Sequence, residues 1–274
     1  MKKMLFILSY VCIGYLILVI ALFMFQRSFL YFPERGRIDS SYFLNTELEE
    51  ISFPTSDGLV LKSWIKKPKS EDGYTMLIFH GNGGHVGHRV NKFETFIKKG
   101  YGLFFLEYRG YANNPGKPSE QGLYNDALAA IEFLSKQNVK SNKIILYGES
   151  LGCGIAVKLS TEAEFAATIL ESPYTSINDV AQKHYWYLPA KWLVLDKYNI
   201  INIIHKIKSP LLILHGENDN IVNIKFGKIV FEAANQPKES LFIPNAGHNN
   251  LFEFGAIKKI FSFLEKQKTI NYTK

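Results

Sequence analysis

Cysteine is nearly absent from this 274-residue chain, with only Cys12 and Cys153 present. One lies in an apolar N-terminal run and the other far down the chain, so the pair does not read as a disulfide framework. No segment repeats with a period of 20–50 residues, which excludes solenoids and propellers. No low-complexity tract interrupts the chain, and 47% of its residues are hydrophobic, so a packed core is expected. Basic residues outnumber acidic ones by 32 to 25, giving a net charge of +7. The lysines are scattered and accompany no DNA- or RNA-binding motif. The excess therefore describes a solvated surface, or one near an anionic membrane, and not a nucleic-acid partner.

Charge is missing altogether from residues 4–25 of "MKKMLFILSYVCIGYLILVIALFMFQR". A helix of that length at 1.5 Å per residue spans roughly the 30 Å hydrocarbon core of a bilayer. A cleaved signal peptide has a shorter apolar region, about 7–15 residues, and a small-residue cleavage site. Bulky "ALFMFQ" stands there instead. Residues 1–30 therefore read as an uncleaved, single-pass membrane anchor. Lys2 and Lys3 oppose Arg27, Arg35 and Arg37 across it, so the charge rule nearly cancels. Likeness to a signal anchor tips the expectation towards the remainder of the chain lying outside the cytoplasm. The aromatic and basic stretch "QRSFLYFPERGR" is expected at the membrane interface.

Residues 31–274 alternate between two patterns. "EEISFPT" and "LVLKSWIK" flank the turn signal "SDG" and predict an antiparallel hairpin. "TMLIFH", "GLFFLEY", "KIILYG", "AATILES", "PLLILHG" and "ESLFIP" are nearly continuous apolar runs, as in strands buried on both faces of a parallel sheet. Helix-compatible stretches separate them, among them "VNKFETFIKKG", "SEQGLYNDALAAIEFLSKQ" and "NLFEFGAIKKIFSFLEKQ". The expectation is an α/β fold with a mostly parallel eight-stranded sheet and helices on both faces. Residues 173–209 break the rhythm. Their aromatic "HYWYLPAKWLVLDKY" reads either as a crossover helix packed on the sheet or as a small cap over the strand ends.

Gly148-Glu149-Ser150-Leu151-Gly152 follows an apolar strand and precedes a helix, as in a nucleophile elbow. A serine hydroxyl needs a base to take its proton, and in this architecture the acid and then the base follow in the chain. Asp219 lies just past a strand end in "LLILHGENDNIV", with Glu217 as the alternative acid. His248 in "FIPNAGHNNLF" follows the last strand, where the base belongs. His80 and His215 sit at strand ends and His184 and His205 in the cap-like segment, and none fits that place as well. The backbone N–H of Leu151 is one expected oxyanion donor. The glycine-rich loop "HGNGGHVGHR" should supply the other, from Asn82 or, second, Gly83.

No Gly-Lys-Ser/Thr follows "HGNGG", so it is no Walker-type phosphate loop. His80, His85 and His88 lack the usual spacing and the fourth partner of a zinc site. Neither metal nor organic cofactor is expected. Cys153 reads as a small buried residue and not as a second nucleophile. Arg109 is either a partner of Asp126 or a surface arginine, and Glu149 either tunes the site or is simply exposed.

Taken in order, "HGNGGHVGHR", "EYRGYANNPGKPSEQGLYNDA", "GESLGCGIA", "ESPYTSIND", "HGENDNIV" and "AGHNN" resemble the Bem46-like branch of the α/β-hydrolase superfamily. The resemblance runs over residues 32–264, and "YFPERG" after an anchor is also similar to that branch. It implies an α/β-hydrolase core with Ser150, Asp219 and His248 as triad. It further implies hydrolysis of esters or thioesters, in some relatives on acylated proteins at membranes. Two positions depart from common forms of the motifs, Cys153 where glycine or alanine is frequent and Asn250 where aspartate is frequent.

Overall fold

The computed structural model describes residues 1–272. Eight strands form one sheet: β1 (Glu49–Pro54), β2 (Val60–Lys66), β3 (Thr75–Phe79), β4 (Gly102–Leu106), β5 (Ile144–Glu149), β6 (Ala167–Glu171), β7 (Leu211–Gly216) and β8 (Lys238–Ile243). Their order across the sheet is β8-β7-β6-β5-β3-β4-β2-β1. The β1–β2 and β2–β4 pairs are antiparallel and the remaining pairs parallel. The burial of each strand follows its sequence. Every residue of β3, β4, β6 and β7 is buried, as continuous apolar runs demand, whereas the edge strand β1 buries only Phe53.

Eight helices are described: α1 (Lys2–Leu30), α2 (Val90–Lys98), α3 (Glu120–Lys136), α4 (Gly152–Glu162), α5 (Ile177–His184), α6 (Ala190–Leu193), α7 (Ile224–Ala233) and α8 (Ala256–Tyr272). Two apolar layers, one on each face of the sheet, hold them. One joins Leu77, Phe104 and Leu146 to Leu123 of α3 and Ile155 of α4, and the other joins Ile78, Phe105 and Tyr147 to Phe93 of α2 and Ile260 of α8. Ser119 and Ser176 cap α3 and α5 by accepting a hydrogen bond from Gly122 N–H and Asp179 N–H.

Two sequence expectations need adjusting. The N-terminal helix reaches Leu30, past the uncharged run, because nothing disfavours helix until Tyr31, which turns extended two residues before Pro33. The last helix starts at Ala256 and not near Asn250, because Glu253 and Phe254 N–H bond back to Asn250 and Leu251 C=O in tight turns. The crossover between β7 and β8 carries α7, whose "IKFGKIVFEA" starts with the Asn223 cap.

Residues 173–209 contain α5, the short α6 and extended chain. Of the two readings of this segment, packing of its aromatics as core does not hold: Trp186 and Trp192 are 79% and 81% exposed, and Tyr185 and Tyr187 are about half exposed. α1 is long and apolar enough to cross a membrane, with a mean hydropathy of 2.7, and buries none of its residues. A signal sequence passes the same test.

The N-terminal segment is nevertheless tied to the domain. Phe32–Pro33 pairs in parallel with Gly83–Gly84 of the glycine-rich loop. Arg27 makes a two-pronged ion pair with Asp196, Nε to Oδ2 at 2.8 Å and Nη2 to Oδ1 at 3.1 Å. Tyr31 and Tyr198 join hydroxyls at 2.9 Å.

Candidate active site

Ser150 stands between the end of β5 and the start of α4 with φ +51°. That left-handed conformation is uncommon outside glycine and marks a strained turn. The turn is held by Ser150 N–H donating to Glu171 C=O at 2.9 Å and by Cys153 N–H donating to Ser150 C=O at 2.9 Å. The start of α4 lies directly on β3. A Cβ at Gly152 would sit 2.1 Å from the Phe79 carbonyl oxygen, so only glycine permits the approach.

His248 lies in the loop after β8, with Nε2 3.0 Å from Ser150 Oγ and Nδ1 2.6 Å from Asp219 Oδ2. With the proton on Nδ1 donated to Asp219, Nε2 is free to accept from the serine hydroxyl. Asp219 is buried. Its Oδ1 accepts from Ile221 N–H at 2.9 Å and from Val222 N–H at 2.8 Å. Burial pushes this carboxyl up, but hydrogen bonds from His215, His248 and Val222 outweigh it and hold the acid well below the usual carboxylate range. Glu217, the alternative acid, is exposed.

The contribution of His215 is not visible from its place at a strand end. Its Nε2 donates to Val222 C=O at 2.8 Å and lies 3.3 Å from Asp219 Oδ2, so two imidazoles flank one carboxylate. The four-residue spacing of His215 and Asp219 is the signal that could have found it. Gly227 of α7 makes room, since a Cβ there would meet His215 Nδ1 at 2.3 Å. The other histidines lie apart from this chain of bonds. His80 is buried against Glu107, and His184 bonds Ile221 C=O at 2.8 Å.

The two departures from the motifs have physical equivalents. Asn250 Oδ1 accepts from Gly247 N–H at 2.8 Å, so an amide oxygen braces the histidine loop as a carboxylate would. Cys153 Sγ lies 3.2 Å from Gly148 C=O and from Glu171 C=O, and burial, with Glu171 and Glu149 nearby, pushes its thiol far up. A thiol so held is a poor nucleophile.

Leu151 is the N-cap residue of α4, so its N–H lies at the helix N-terminus beside Ser150. The glycine-rich loop also runs against the nucleophile, because a Cβ at Gly81 would be 3.6 Å from Ser150 Cβ. Asn82 is fastened on two sides. Its Nδ2 donates to Leu30 C=O at 2.9 Å, and its carbonyl accepts from Phe32 N–H at 2.9 Å and Tyr111 Oη at 2.7 Å. The last carbonyl of α1 is thus held by the loop expected to contribute an oxyanion donor.

At the elbow lies a partly buried ionic network that motif reading missed. Arg89 Nη2 and Lys92 Nζ each pair with Glu149 at 3.0 Å, and Lys92 Nζ reaches Glu171 at 2.6 Å. Tyr147 Oη also donates to Glu171. Burial raises the Glu149 carboxyl, and Lys92 and Arg89 more than reverse this, leaving it well below the ordinary range. Arg89 Nη1 donates to Gly83 C=O at 3.0 Å, so one guanidinium joins the elbow to the glycine-rich loop. Arg109 does pair with Asp126, Nε to Oδ1 at 2.8 Å, and also with Asp57. Burial pushes Asp126 up to about 6 despite Arg109.

Among the described residues, one group could hold a metal ion. Glu34, His85 and His88 bring one ligand atom each to within 4.8 Å of one another, whereas His80 is not among them. His85 Nδ1 is buried without a partner, so the hydrogen bond that usually orients a metal-bound imidazole through its other ring nitrogen is missing.

Comparison with known proteins extends these observations. Residues 71–197 match the family model described as serine aminopeptidase, S33. Protein bem46 of Schizosaccharomyces pombe is 31% identical over 244 residues, which cover 84% of this chain and 82% of that protein. Lysophosphatidylserine lipase ABHD12 of Danio rerio is 33% identical over 195 residues, covering 64% of this chain and 51% of that protein. The solved structure of the Pyrococcus furiosus esterase Pf2001 is 21% identical and superposes with a TM-score of 0.70, covering 86% of this chain and 98% of that one. At that identity the likeness speaks for the fold alone.

Proposed function

Since the chain belongs to the Bem46-like branch of the α/β-hydrolase superfamily, we propose that it is a serine hydrolase of carboxylic esters or thioesters, acting through Ser150, His248 and Asp219 on acylated or lipid-like substrates at a membrane. The observation that carries this reading is the unbroken hydrogen-bond chain from Ser150 Oγ through His248 to Asp219, with the serine on a left-handed turn. Ser150 Oγ attacks the acyl carbonyl as His248 Nε2 takes its proton. Asp219, kept ionised, holds the tautomer and offsets the imidazolium charge. The N–H groups of Leu151 and Asn82 receive the oxyanion, and each such donor is worth about 3 kcal/mol at the transition state. His248 returns its proton to the leaving oxygen or sulfur, and water then attacks the acyl-enzyme with His248 as base. No step calls on a cofactor.

The lipase relative and the apolar N-terminal helix support a lipid-like acyl substrate. A single-pass anchor with the catalytic domain outside the cytoplasm is the topology we favour. The family model's description favours one second reading, amide or peptide hydrolysis by the same three residues. A non-catalytic binding protein would need no such chain of bonds. A fluorophosphonate probe tests the proposal: it should label Ser150, and intact enzyme left unlabelled would sink it. A panel of esters, thioesters and amides of graded acyl length then separates ester from amide turnover.

A further inference from the structure

Residues 185–195, "YWYLPAKWLVL", contain one charged side chain, Lys191. Trp186, Trp192, Tyr187 and Leu195 among them are more than half exposed. Charged or titratable groups close both ends, Lys183 and His184 before and Asp196 and Lys197 after. Such a patch in water is unfavourable, and it marks a surface meant for something apolar.

What covers it is indicated by its neighbour. α1 lies along this segment: Tyr15 Oη donates to Tyr187 C=O at 2.9 Å, Gln26 Nε2 to Leu193 C=O at 3.3 Å, and Leu195 N–H to Gln26 Oε1 at 2.7 Å. The Arg27–Asp196 ion pair closes the contact on its polar side. Tyr15 is about 18 Å along the helix from Arg27, at 1.5 Å per residue. That exceeds half of a hydrocarbon core about 30 Å thick. A helix that enters a bilayer at Arg27 therefore takes the segment in with it, and tilting reduces the depth without breaking the contact.

The backbone of the segment is arranged for such a place. In lipid, each polar backbone group needs a protein partner. The N–H groups of Leu188, Trp192, Leu193 and Val194 bond to nearby carbonyls. That of Lys191 bonds Gln182 Oε1 at 3.1 Å, and Gln182 Nε2 donates to Leu188 C=O at 3.0 Å. Asn178 Nδ2 donates to Lys191 C=O at 3.3 Å. Glutamine, asparagine and tyrosine side chains thus serve a loop that water could have served on a soluble surface. Lys191 can extend its amine towards the headgroups.

We infer that residues 185–195 are embedded in the same bilayer leaflet as the C-terminal half of α1, as a lipid-facing flap beside the catalytic mouth. The flap's leading end touches the acid loop through His184 and Ile221, and its trailing end reaches the elbow helix, where Tyr198 packs on Gly154. Resting on the hydrolase reading, this makes the substrate an acyl ester whose chain already lies in that leaflet.

Tryptophan emission tests the flap independently of catalysis, since the chain has three tryptophans and Trp64 is buried in the sheet. The full chain is reconstituted into phosphatidylcholine vesicles with or without bromine on the acyl chains. Bromolipid should quench roughly half or more of the emission of Trp186 and Trp192, and aqueous iodide little of it. In the Trp186→Phe/Trp192→Phe variant the remaining emission should be indifferent to bromolipid. Emission insensitive to bromolipid but quenched by iodide overturns the inference. So does shielding from both quenchers together with a dimer in sedimentation, which would make a second copy the cover. In a parallel assay, Trp192→Glu should lower turnover of a vesicle-borne long-chain ester at least tenfold while leaving a soluble acetyl ester unchanged. Equal loss on both overturns it as well. Quenching without any ester turnover would instead leave the flap standing and defeat the hydrolase reading.

Discussion

The ionic network at the elbow and the aromatic segment reverse the usual distribution of residues. In the network, the floor of the site, Glu149, Lys92 and Arg89 carry charge into partly buried positions and Glu171 into a buried one, and each finds an opposite partner. In the proposed flap, the roof in this comparison, Trp186 and Trp192 turn large apolar surfaces outward. Buried ion pairs are held for geometry more than for stability, since replacing a whole pair by apolar residues is often neutral. Exposed indoles are held for a partner. The floor of the site is therefore built to fix atoms, and the roof to meet another phase.

The largest expected effect falls where the two regions join. Ser150→Ala should abolish ester turnover, with His248→Ala close behind and Asp219→Asn severe, each about 10³-fold or more in kcat/KM. A purified Ser150→Ala enzyme with wild-type turnover would disprove the mechanism. A severe Glu217→Gln with a mild Asp219→Asn would move only the acid.

Next comes the floor. Lys92→Met leaves Glu149 and Glu171 without their shared cation, and stranding a buried charge costs about 3–5 kcal/mol. Calorimetry should show the melting temperature falling by roughly 6–20 °C for a domain of this size. A change below a degree would mean that water already screens the network.

The roof should respond in the opposite way. Trp186→Ala and Trp192→Ala should leave thermal stability within about 0.5 kcal/mol, as for other surface changes. They should nevertheless lower turnover of vesicle-borne long-chain esters while sparing soluble acetyl esters, because less apolar surface then holds the flap in the leaflet. Equal losses on acetyl and long-chain esters would erase the distinction between the regions. A chain shortened to begin at Tyr31 keeps the Tyr31–Tyr198 and Phe32–Gly83 contacts. It should leave the carbonate-resistant membrane pellet while still turning over acetyl esters, whereas a full-length chain in the soluble fraction would count against an anchor.

The smallest effect is in pH dependence. The Glu149 carboxyl titrates lower in the folded protein than in the unfolded chain, because Lys92 and Arg89 outweigh its burial. The unfolded chain then binds more protons as pH falls, so this contribution is complete above the ordinary glutamate value of about 4.3 and is lost as pH drops below it. Urea midpoints of Glu149→Gln and wild type should differ most near pH 7 and converge below pH about 4. A gap that stays constant with pH would show that the charge of Glu149 does not contribute.

The mostly parallel sheet, its starting antiparallel hairpin and the glycine-flanked turn at Ser150 were legible because each leaves a local mark. Apolar runs such as "TMLIF" announce buried strands, and glycines around Ser150 announce the elbow. Residues whose role depends on distant partners left none. Arg89 and Lys92 look like surface cations on a helix until Glu149, some 60 positions later, is placed beside them. His215 looked like a strand-end residue because its contact to Asp219 requires Gly227 of another element. The aromatic segment fitted core or cap equally well, since composition does not say which way an indole points.

The pairing of Arg27 with Asp196 also bears on how the chain is made. The partners are 169 residues apart. At about 5–20 residues per second, roughly 8–34 s separate their synthesis. On the proposed anchor topology, a helix delivered to the bilayer first keeps its guanidinium at the headgroups, alone, until the segment that completes it emerges. Docking of the proposed flap on α1 is then a late event of biogenesis, and a chain halted on the ribosome before residue 196 would carry the helix without this contact to the domain.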